Sequence, residues 1–252
     1  MALKNILPLA CSSRRALTAL ALGAIFLATT LAQAACTTVT TPQSPGAMNL
    51  DLKIKYYQQG ETPVEAHFST TDGNTIEFVS GETVACDNVF LAYDSNPVEQ
   101  LFDYGSYLGD VPMQPATGVY TFTYTPAKGK GAPITLSVPV VNDPVNVTSP
   151  ANGAAVNLPS NGGNVTIHYT PGTVANSSVL AILTDSRGKV TLTLPQPDNG
   201  VLQVPASSLN GFQPGPGTIY VVRVTTNSPA GTPFHQVKTE FDNITVRQIT
   251  WQ

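Results

Sequence analysis

Apolar and polar side chains alternate one by one through short segments along most of this chain. Residues 49–57 read NLDLKIKYY, with Leu50, Leu52 and Ile54 on one face and charged side chains on the other. Successive side chains of an extended strand point to opposite sides, so a period of two marks a half-buried β-strand. No window shows the period of an amphipathic helix. The chain is therefore predicted to be all-β.

The alternation stops near residue 142 and then starts again. Seven or eight short alternating segments follow between residues 145 and 246, separated by turn-forming runs such as DSRG at 185–188 and DNG at 198–200. Short strands with turns about every ten residues predict antiparallel β-sandwiches. We expect two domains, 48–141 and 142–252, joined near residues 141–144. A Thr/Pro-rich segment, 35–47, precedes them.

One stretch of the second half resembles a known family. Residues 216–224, PGTIYVVRV, resemble the P-G-T-x-Y-x-V-x-V stretch of fibronectin type III and related immunoglobulin-like domains. The resemblance implies a tyrosine corner, in which the ring of Tyr220 enters the core above Leu209 and Phe212 while its hydroxyl bonds nearby backbone. Residues 118–124, GVYTFTY, look like a shorter copy and give Tyr120 the same role. The implied fold is two tandem immunoglobulin-like antiparallel β-sandwiches.

A second resemblance covers residues 147–173, VTSPANGAAVNLPSNGGNVTIHYTPGT. This stretch is similar to the opening of immunoglobulin-like modules in bacterial surface proteins and in fungal cell-wall glucan-assembly proteins. Such sandwiches host many unrelated roles, so both resemblances imply a fold rather than an activity. The sequence departs from antibody domains because neither half has their cysteine pair or central tryptophan. The single tryptophan, Trp251, is the penultimate residue.

The first 34 residues have the pattern of a cleaved signal peptide. Lys4, Arg14 and Arg15 precede an apolar run at 16–31, and the sequence AQA at 32–34 supplies a small-x-small cleavage pattern. The mature protein is therefore expected to be secreted or at the cell surface. No later stretch approaches the length of a membrane span, so no integral span is expected in the mature chain.

The charge balance excludes two classes of partner. The predicted leader holds three of the 12 basic residues and none of the 16 acidic ones, which leaves a net charge of −7 on the mature part. Nucleic acid and anionic membrane surfaces both require a basic patch. Neither is an expected partner of this chain.

Two cysteines remain after removal of the leader. Cys36 and Cys86 are predicted to form one disulfide, as is usual in exported proteins. The alternative is that Cys36 is the lipidated first residue of a lipoprotein, because Ala34-Ala35-Cys36 suits a lipobox. Gln33 stands where a lipobox has a bulky aliphatic residue.

Catalytic and metal-binding patterns are sparse. His67 and His168 alternate with apolar neighbours and are expected on solvent-facing sides of strands, and His235 is expected in a loop or at a strand edge. No H-E-x-x-H or paired C-x-x-C motif is present to hold a transition metal. We therefore expect no enzyme activity, cofactor or metal.

The most suggestive segment for binding is residues 93–110, YDSNPVEQLFDYGSYLGD. Long loops on a rigid sandwich often carry binding residues, and aromatic faces flanked by carboxylates hold sugar rings or protein loops. The candidate ligand-binding residues are Tyr93, Phe102, Asp103, Tyr104, Tyr107 and Asp110. The alternative is a local core in which Phe102 and Tyr104 close the edge of the sandwich.

Export, tandem sandwiches and the lack of a catalytic set together favour a structural or adhesive module. Its partner is expected to be a protein or a cell-wall polysaccharide. The alternative function is a carbohydrate-binding module that uses the aromatic loop 93–110.

Overall fold

Strands make up nearly all of the regular structure. A computed structural model of the chain describes residues 38–41, 43–57, 62–95, 105–111, 118–159 and 163–252, so the predicted signal peptide lies outside the described residues. Within these ranges there are two short 3₁₀ helices, Pro45–Ala47 and Ala206–Leu209, and no α-helix. The all-β prediction is confirmed. The strands are β1 (Thr38–Val39), β2 (Met48–Tyr57), β3 (Thr62–Thr70), β4 (Thr75–Ile76), β5 (Thr83–Cys86), β6 (Val89–Phe90), β7 (Ala92–Asp94), β8 (Ser106–Val111), β9 (Val119–Thr125), β10 (Ile134–Pro139), β11 (Val147–Ser149), β12 (Ala154–Val156), β13 (Asn164–Tyr169), β14 (Ser177–Thr184), β15 (Val190–Leu192), β16 (Gln196–Pro197), β17 (Val201–Pro205), β18 (Gly215–Asn227) and β19 (Gln236–Trp251).

The strands form one large sheet and two small ones. The large sheet, here called the shared sheet, has twelve strands and follows the order β1-β4-β3-β2-β19-β18-β14-β15, with β7, β8, β12 and β16 attached at its sides. One small sheet has the order β10-β9-β5-β6 and the other the order β11-β13-β17. Each small sheet packs on one half of the shared sheet and encloses a separate hydrophobic core. The result is two sandwiches that have one sheet in common.

Strand β19 belongs to both halves. It pairs antiparallel with β18 along its length, from Thr239 to Trp251. On its other edge it pairs parallel with β2 over Gln236–Ile244 and parallel with β12 near its end. Its inward side chains enter the first core through Val237 and Phe241, and the second core through Ile249 and Trp251. A domain boundary at residue 142 therefore does not separate the two cores cleanly, because residues 234–241 return to the first one.

Hydrogen bonds hold the connection between the halves on the inward face of the shared sheet. Three side chains on β18 and β19 donate hydrogen bonds to carbonyl oxygens of the linker, residues 143–147. Arg223 Nη1 donates to the carbonyls of Asp143 and Pro144, both at 2.9 Å. Thr245 Oγ1 donates to Val145 at 2.5 Å, and Arg247 Nη2 to Val147 at 2.9 Å. Buried carbonyls need such donors, so the linker has one fixed path across the sheet.

Arg223 is the centre of a buried ionic cluster. Its side chain is 1% exposed, and its Nε donates to Asp198 Oδ2 at 2.7 Å. Its Nη2 donates to the carbonyl of Thr170 at 2.6 Å, while Asp143 Oδ1 lies 3.5 Å from Nη1. A buried charge is tolerated when it is paired and fully hydrogen-bonded, and the planar fork of arginine supplies five donors for this purpose. Asp143 and Asp198 thereby join the linker to the second sandwich.

The predicted burial of Tyr220 is wrong. Ile219 and Val221 fill the second core, and Tyr220 lies half-buried on the opposite, outward face of β18. The reason is the period of two: Arg223 must point inward to reach Asp198, so every odd-numbered neighbour on the strand also points inward. Tyr120, in contrast, is fully buried in the first core, with its ring centroid 6.4 Å from that of Tyr56.

Trp251 occupies the position that was expected for Tyr220. Its indole is buried against Phe212, with ring centroids 5.8 Å apart in a T-shaped arrangement, and its Nε1 donates to the carbonyl of Thr184 at 2.8 Å. Leu209 and Phe212 are buried in the second core as expected, but their aromatic neighbour is Trp251. A Cβ at Gly217 would lie 2.2 Å from Trp251 Nε1. The glycine of the Pro216-Gly217 pair therefore leaves the space that the indole occupies.

Because β19 serves both cores, we predict that the two halves unfold in one transition. Cys86 is buried in the first core and Trp251 in the second, so each reports on one half. In a denaturant titration, Trp251 fluorescence and the alkylation of Cys86, read by mass spectrometry of its peptide in reduced protein, should share one midpoint. Two separated midpoints would show that the halves are independent.

A second prediction concerns the ionic cluster. Arg223→Met leaves the Asp198 carboxylate buried without its partner, and such a change typically destabilises a protein by about 3–5 kcal/mol. Arg223→Lys keeps the charge but loses the forked donors, so we expect a smaller loss. The matched control is Arg187→Met, since Arg187 is exposed and should change stability by less than about 0.5 kcal/mol. If Arg223→Met unfolds like the parent protein in a denaturant titration, the cluster does not hold the linker.

Candidate functional site

One residue of the aromatic loop predicted to bind ligand, Tyr107, lies in the first core. Tyr107 is 5% exposed, and its hydroxyl accepts a hydrogen bond from the Phe78 backbone N–H at 2.6 Å. Its ring lies edge-on to Phe68 at 5.8 Å between centroids. Burial raises the pKa of the Tyr107 hydroxyl above its ordinary value. Tyr107 is therefore not available to stack on a sugar ring, and its assignment as a ligand-binding residue is wrong.

The remaining candidates of this loop do not form a platform in the described part of the chain. Tyr93 is half-buried with its ring 5.2 Å from that of Tyr107, and Asp110 is exposed on β8. Phe102, Asp103 and Tyr104 lie outside the described residues. A carbohydrate site in this loop stays a prediction that depends on those three residues.

The histidines and the cysteine that the structure describes lie apart from one another. His168 and His235 are exposed, as expected. His67 is half-buried, and its Nδ1 lies 3.1 Å from the carbonyl oxygen of Gly105. Cys86 is buried, and burial, with the nearby charge of Asp87, raises the pKa of its thiol to about 12. Cys36 lies outside the described residues, so the Cys36–Cys86 disulfide stays a prediction.

Within the described ranges, no group of three or more His, Cys, Asp or Glu side chains could hold a metal ion. The same ranges contain no helix long and apolar enough to cross a membrane.

The outward face of the shared sheet carries a stripe of apolar side chains. Residues opposite each other in register share a face, and β14, β18 and β19 are aligned so that Leu180 faces Val222 and Val222 faces Ile244. Ile182 likewise faces Tyr220 on the next strand. Together these positions form a continuous stripe across five strands, which we call the outer apolar face. Its members are Tyr57, Leu180, Ile182, Leu192, Tyr220, Val222, Ile244 and Val246.

This half of the shared sheet is apolar on both faces. On β14 the side chains of Val179, Ala181 and Leu183 are fully buried in the second core, while Leu180 and Ile182 point outward. An antiparallel sheet with one solvated face normally alternates between apolar and polar residues. At the centre of the stripe Val222 and Ile244 are buried, with 4% and 8% exposure, while Leu180, Ile182 and Tyr220 around them are half-buried. Exposure rises at the β15 margin to 45% for Val190 and 81% for Leu194. Contiguous exposed apolar surface marks interaction sites.

The rim of the outer apolar face is polar, and on β19 it includes the charged Asp242, which lies opposite Lys55 of β2. Ser178 and Thr184 end the stripe on β14, and Thr218 lies beside Gln248, to which its Oγ1 donates at 3.1 Å. Such a border of hydroxyls and amides around an apolar centre is the usual arrangement of a protein–protein interface.

Toward the first half, the same outward face becomes charged. Lys53 Nζ lies 3.1 Å from Glu240 Oε1, and Lys55 Nζ lies 4.0 Å from Glu65 Oε2. Burial alone would raise the pKa of Glu240, but Lys53 and Lys238 hold it below its ordinary value. Glu240 therefore stays ionised at neutral pH, and the charged ladder gives the outer apolar face a defined boundary.

Asp185 positions the hairpin that carries β15, at the margin of the outer apolar face. Its Oδ1 accepts from the backbone N–H groups of Arg187 at 2.9 Å and Lys189 at 2.7 Å, and its Oδ2 accepts from Gln213 at 3.0 Å. Desolvation raises the pKa of Asp185, but the donors from Lys189, Gln213 and Arg187 prevail and hold it below the ordinary value. This is the turn-capping role that a carboxylate at the start of a turn commonly has.

The lowered pKa predicts a pH dependence of stability. The folded pKa lies below the unfolded value of about 3.9, so the stabilisation is fully present above that value and is lost as the pH falls through the folded pKa. Asp185→Asn should therefore lose less stability than the parent between pH 7 and pH 3. Denaturant titrations at both pH values measure this, with the exposed turn residue Asp72→Asn as control. Equal acid losses in the parent and Asp185→Asn would contradict the prediction.

The sequence does contain a signal for the outer apolar face, but a search for alternating apolar and polar residues does not detect it. The run VLAIL at residues 179–183 has no polar residue, and TIYVVRV at 218–224 is apolar on both of its alternating faces from Ile219 to Val222. A run without alternation in a predicted antiparallel sandwich indicates a strand covered on two sides. Which of those sides is outward could not be read from the sequence.

Comparison with known proteins finds likeness in structure only. No protein-family model matches the chain, and no curated protein matches it in sequence. The resemblance to fungal glucan-assembly modules is therefore unsupported. Among solved structures, one of a 1.5-MDa bacterial ice-binding adhesin aligns with a TM-score of 0.26 at 13% identity, over 84% of this chain and 66% of that one. The FN1–FN3 domains of chicken CNTN1 align with a TM-score of 0.26 at 12% identity, over 83% of this chain and 67% of that one.

A chimeric titin Z1Z2 tandem aligns with a TM-score of 0.23 at 11% identity, over 84% of this chain and 98% of that one. This chain thus spans about two thirds of the length of the adhesin and CNTN1 structures. TM-scores this low carry no argument about function, so the assignment of an all-β fold with two sandwich cores depends on the strands and sheets described above.

Proposed function

We propose that this chain is a non-catalytic protein-contact module of a secreted or cell-surface protein, and that it binds its partner through the outer apolar face. The observation that carries the proposal is the stripe of apolar side chains across five strands, with one face of the sheet already used by the second core. Scattered surface hydrophobic residues are ordinary, but a contiguous stripe is not.

The scaffold under this face is rigid, which favours recognition. The inward side of β14 and β18 packs in the second core, and the linker is held by Arg223, Thr245 and Arg247. A preorganised surface loses little conformational entropy on binding, so more of the interaction free energy contributes to affinity. The strands therefore present the outer apolar face in one fixed shape.

Site-specific photo-crosslinking tests the proposal. A photoreactive phenylalanine analogue at Ile182 should give covalent protein adducts in the producing cells, identified by mass spectrometry. The matched control is the same analogue at Phe90, which is 73% exposed on the small first-half sheet and away from the face. Equal adducts at both positions, or none at Ile182, would refute the proposed contact surface.

A glycan array on the same protein distinguishes the alternative function. Glycan binding that is lost on Tyr104→Ala, with no protein adduct at Ile182, would favour the carbohydrate-binding module instead.

A further inference from the structure

We propose that a cavity at one end of the first sandwich binds a primary alkylammonium group, carried either by a lysine side chain or by a free aliphatic amine. The cavity has a volume of about 460 Å³ and lies between the segment before β2, the segment before β5 and the turn that joins β9 to β10. None of its lining residues belongs to the outer apolar face, so this inference does not depend on the proposed contact surface.

A carboxylate and a phenol form the polar side of the cavity. Glu82 is half-buried, its Oε2 accepts a hydrogen bond from the Ser80 backbone N–H at 3.0 Å, and its Oε1 has no hydrogen-bond partner among the described residues. Tyr124 is 2% exposed, and burial, followed by the charge of Glu82, raises the pKa of its hydroxyl to about 12. The hydroxyl therefore lies near the carboxylate and keeps its proton at neutral pH. Two neighbouring oxygen acceptors suit a positively charged N–H donor.

The other walls of the cavity are mainly apolar. Pro45, Pro126, Ala127 and Ile134 line it. The Lys130 backbone N–H donates to the carbonyl of Ala127 at 2.9 Å, which fixes the turn that forms one wall. Small-molecule sites are usually pre-formed cavities of roughly 300–1,000 Å³ with apolar walls and a few polar groups. An aliphatic chain can lie along these walls while its ammonium end reaches the carboxylate.

The charge around the cavity favours a cation over an anion. Lys130 also lines the cavity, but it is exposed on the turn and forms no ion pair with Glu82 within the described part of the chain. The predicted mature chain has a net charge of −7, which attracts cations to its surface and repels anions. A ligand ammonium supplies the counter-charge that no described side chain gives to Glu82.

Titration of nitrogen-15-labelled protein with n-butylammonium chloride, followed by backbone amide NMR shifts, tests the proposal. We expect shifts at Gly131, Ala132 and Ile134, which line the cavity, with a Kd of about 1–10 mM for so small a ligand. Uncharged n-butanol should bind at least about tenfold more weakly, because it lacks the charge. Glu82→Gln should weaken butylammonium binding at least about tenfold. Lys130→Gln should tighten it about twofold, because it removes a like charge beside the ligand.

The matched control is Glu77→Gln, since Glu77 is a half-buried glutamate that does not line the cavity, and its Kd should equal that of the parent. An amide spectrum that otherwise matches the parent shows that each variant is folded. Shifts that persist in Glu82→Gln, equal binding of butanol, or no binding at about 50 mM overturn the proposal. If Glu82→Gln does not fold, Lys130→Gln decides, and unchanged or weaker binding in that variant overturns it.

A second ligand identifies the source of the ammonium group. Nα-acetyl-lysine N-methylamide presents the same group on a blocked peptide backbone. Tighter binding of this compound than of n-butylammonium indicates a lysine side chain of a partner protein, whereas equal or weaker binding indicates a free amine. Either result supports the alkylammonium site, and a cavity that binds neither compound overturns it.

Discussion

The hydrogen bonding of β19 on both edges is the constraint on which the rest of the structure depends. Thirteen residue pairs join β19 to β18, nine join it to β2, and three join it to β12. A strand inside a sheet must satisfy the backbone groups on both of its sides, and here those partners come from both halves of the chain. The two halves of the chain, which the sequence predicts as separate domains, are thereby joined into one sheet. The position of every side chain on the outer apolar face follows from this register.

The crossing of the linker over this sheet explains why polar residues interrupt the inward face between the cores. Arg223 and Thr245 lie where neither core extends, and their donors meet the carbonyls of residues 143–145. Gly172 contributes space, since a Cβ there would come within 2.5 Å of Asp143 Oδ2 and 2.7 Å of Arg223 Nε. Replacing such a cluster by apolar residues could preserve stability, but it would remove the specific path of the linker. The cluster thus determines how the two sandwiches are joined more than how strongly each one folds.

Local pattern predicted much of this structure and none of its long-range pairing. The alternation at residues 49–57 matches β2 and its buried face, because period two depends only on neighbouring residues. The pairing of β2 with β19, almost 190 residues apart, has no local signal. The resemblance at 216–224 correctly indicated a strand, but the inward direction depends on Arg223 meeting Asp198, so Tyr220 was assigned to the wrong side. The ligand-binding role predicted for Tyr107 is wrong for a similar reason, since its hydrogen-bond partner Phe78 lies 29 residues earlier in the chain.

The parallel pairing of β2 with β19 also determines how the molecule would respond to tension. Met48 begins β2 beside the start of β19, and Trp251 ends β19 well beyond the last residue of β2. A pull on these two ends shears the strands past each other along their own axes. The hydrogen bonds of all nine residue pairs then bear the force at the same time. Strands pulled apart sideways would instead lose their hydrogen bonds one at a time. The same ladder that merges the two sandwiches into one sheet therefore lies directly in the line of mechanical load.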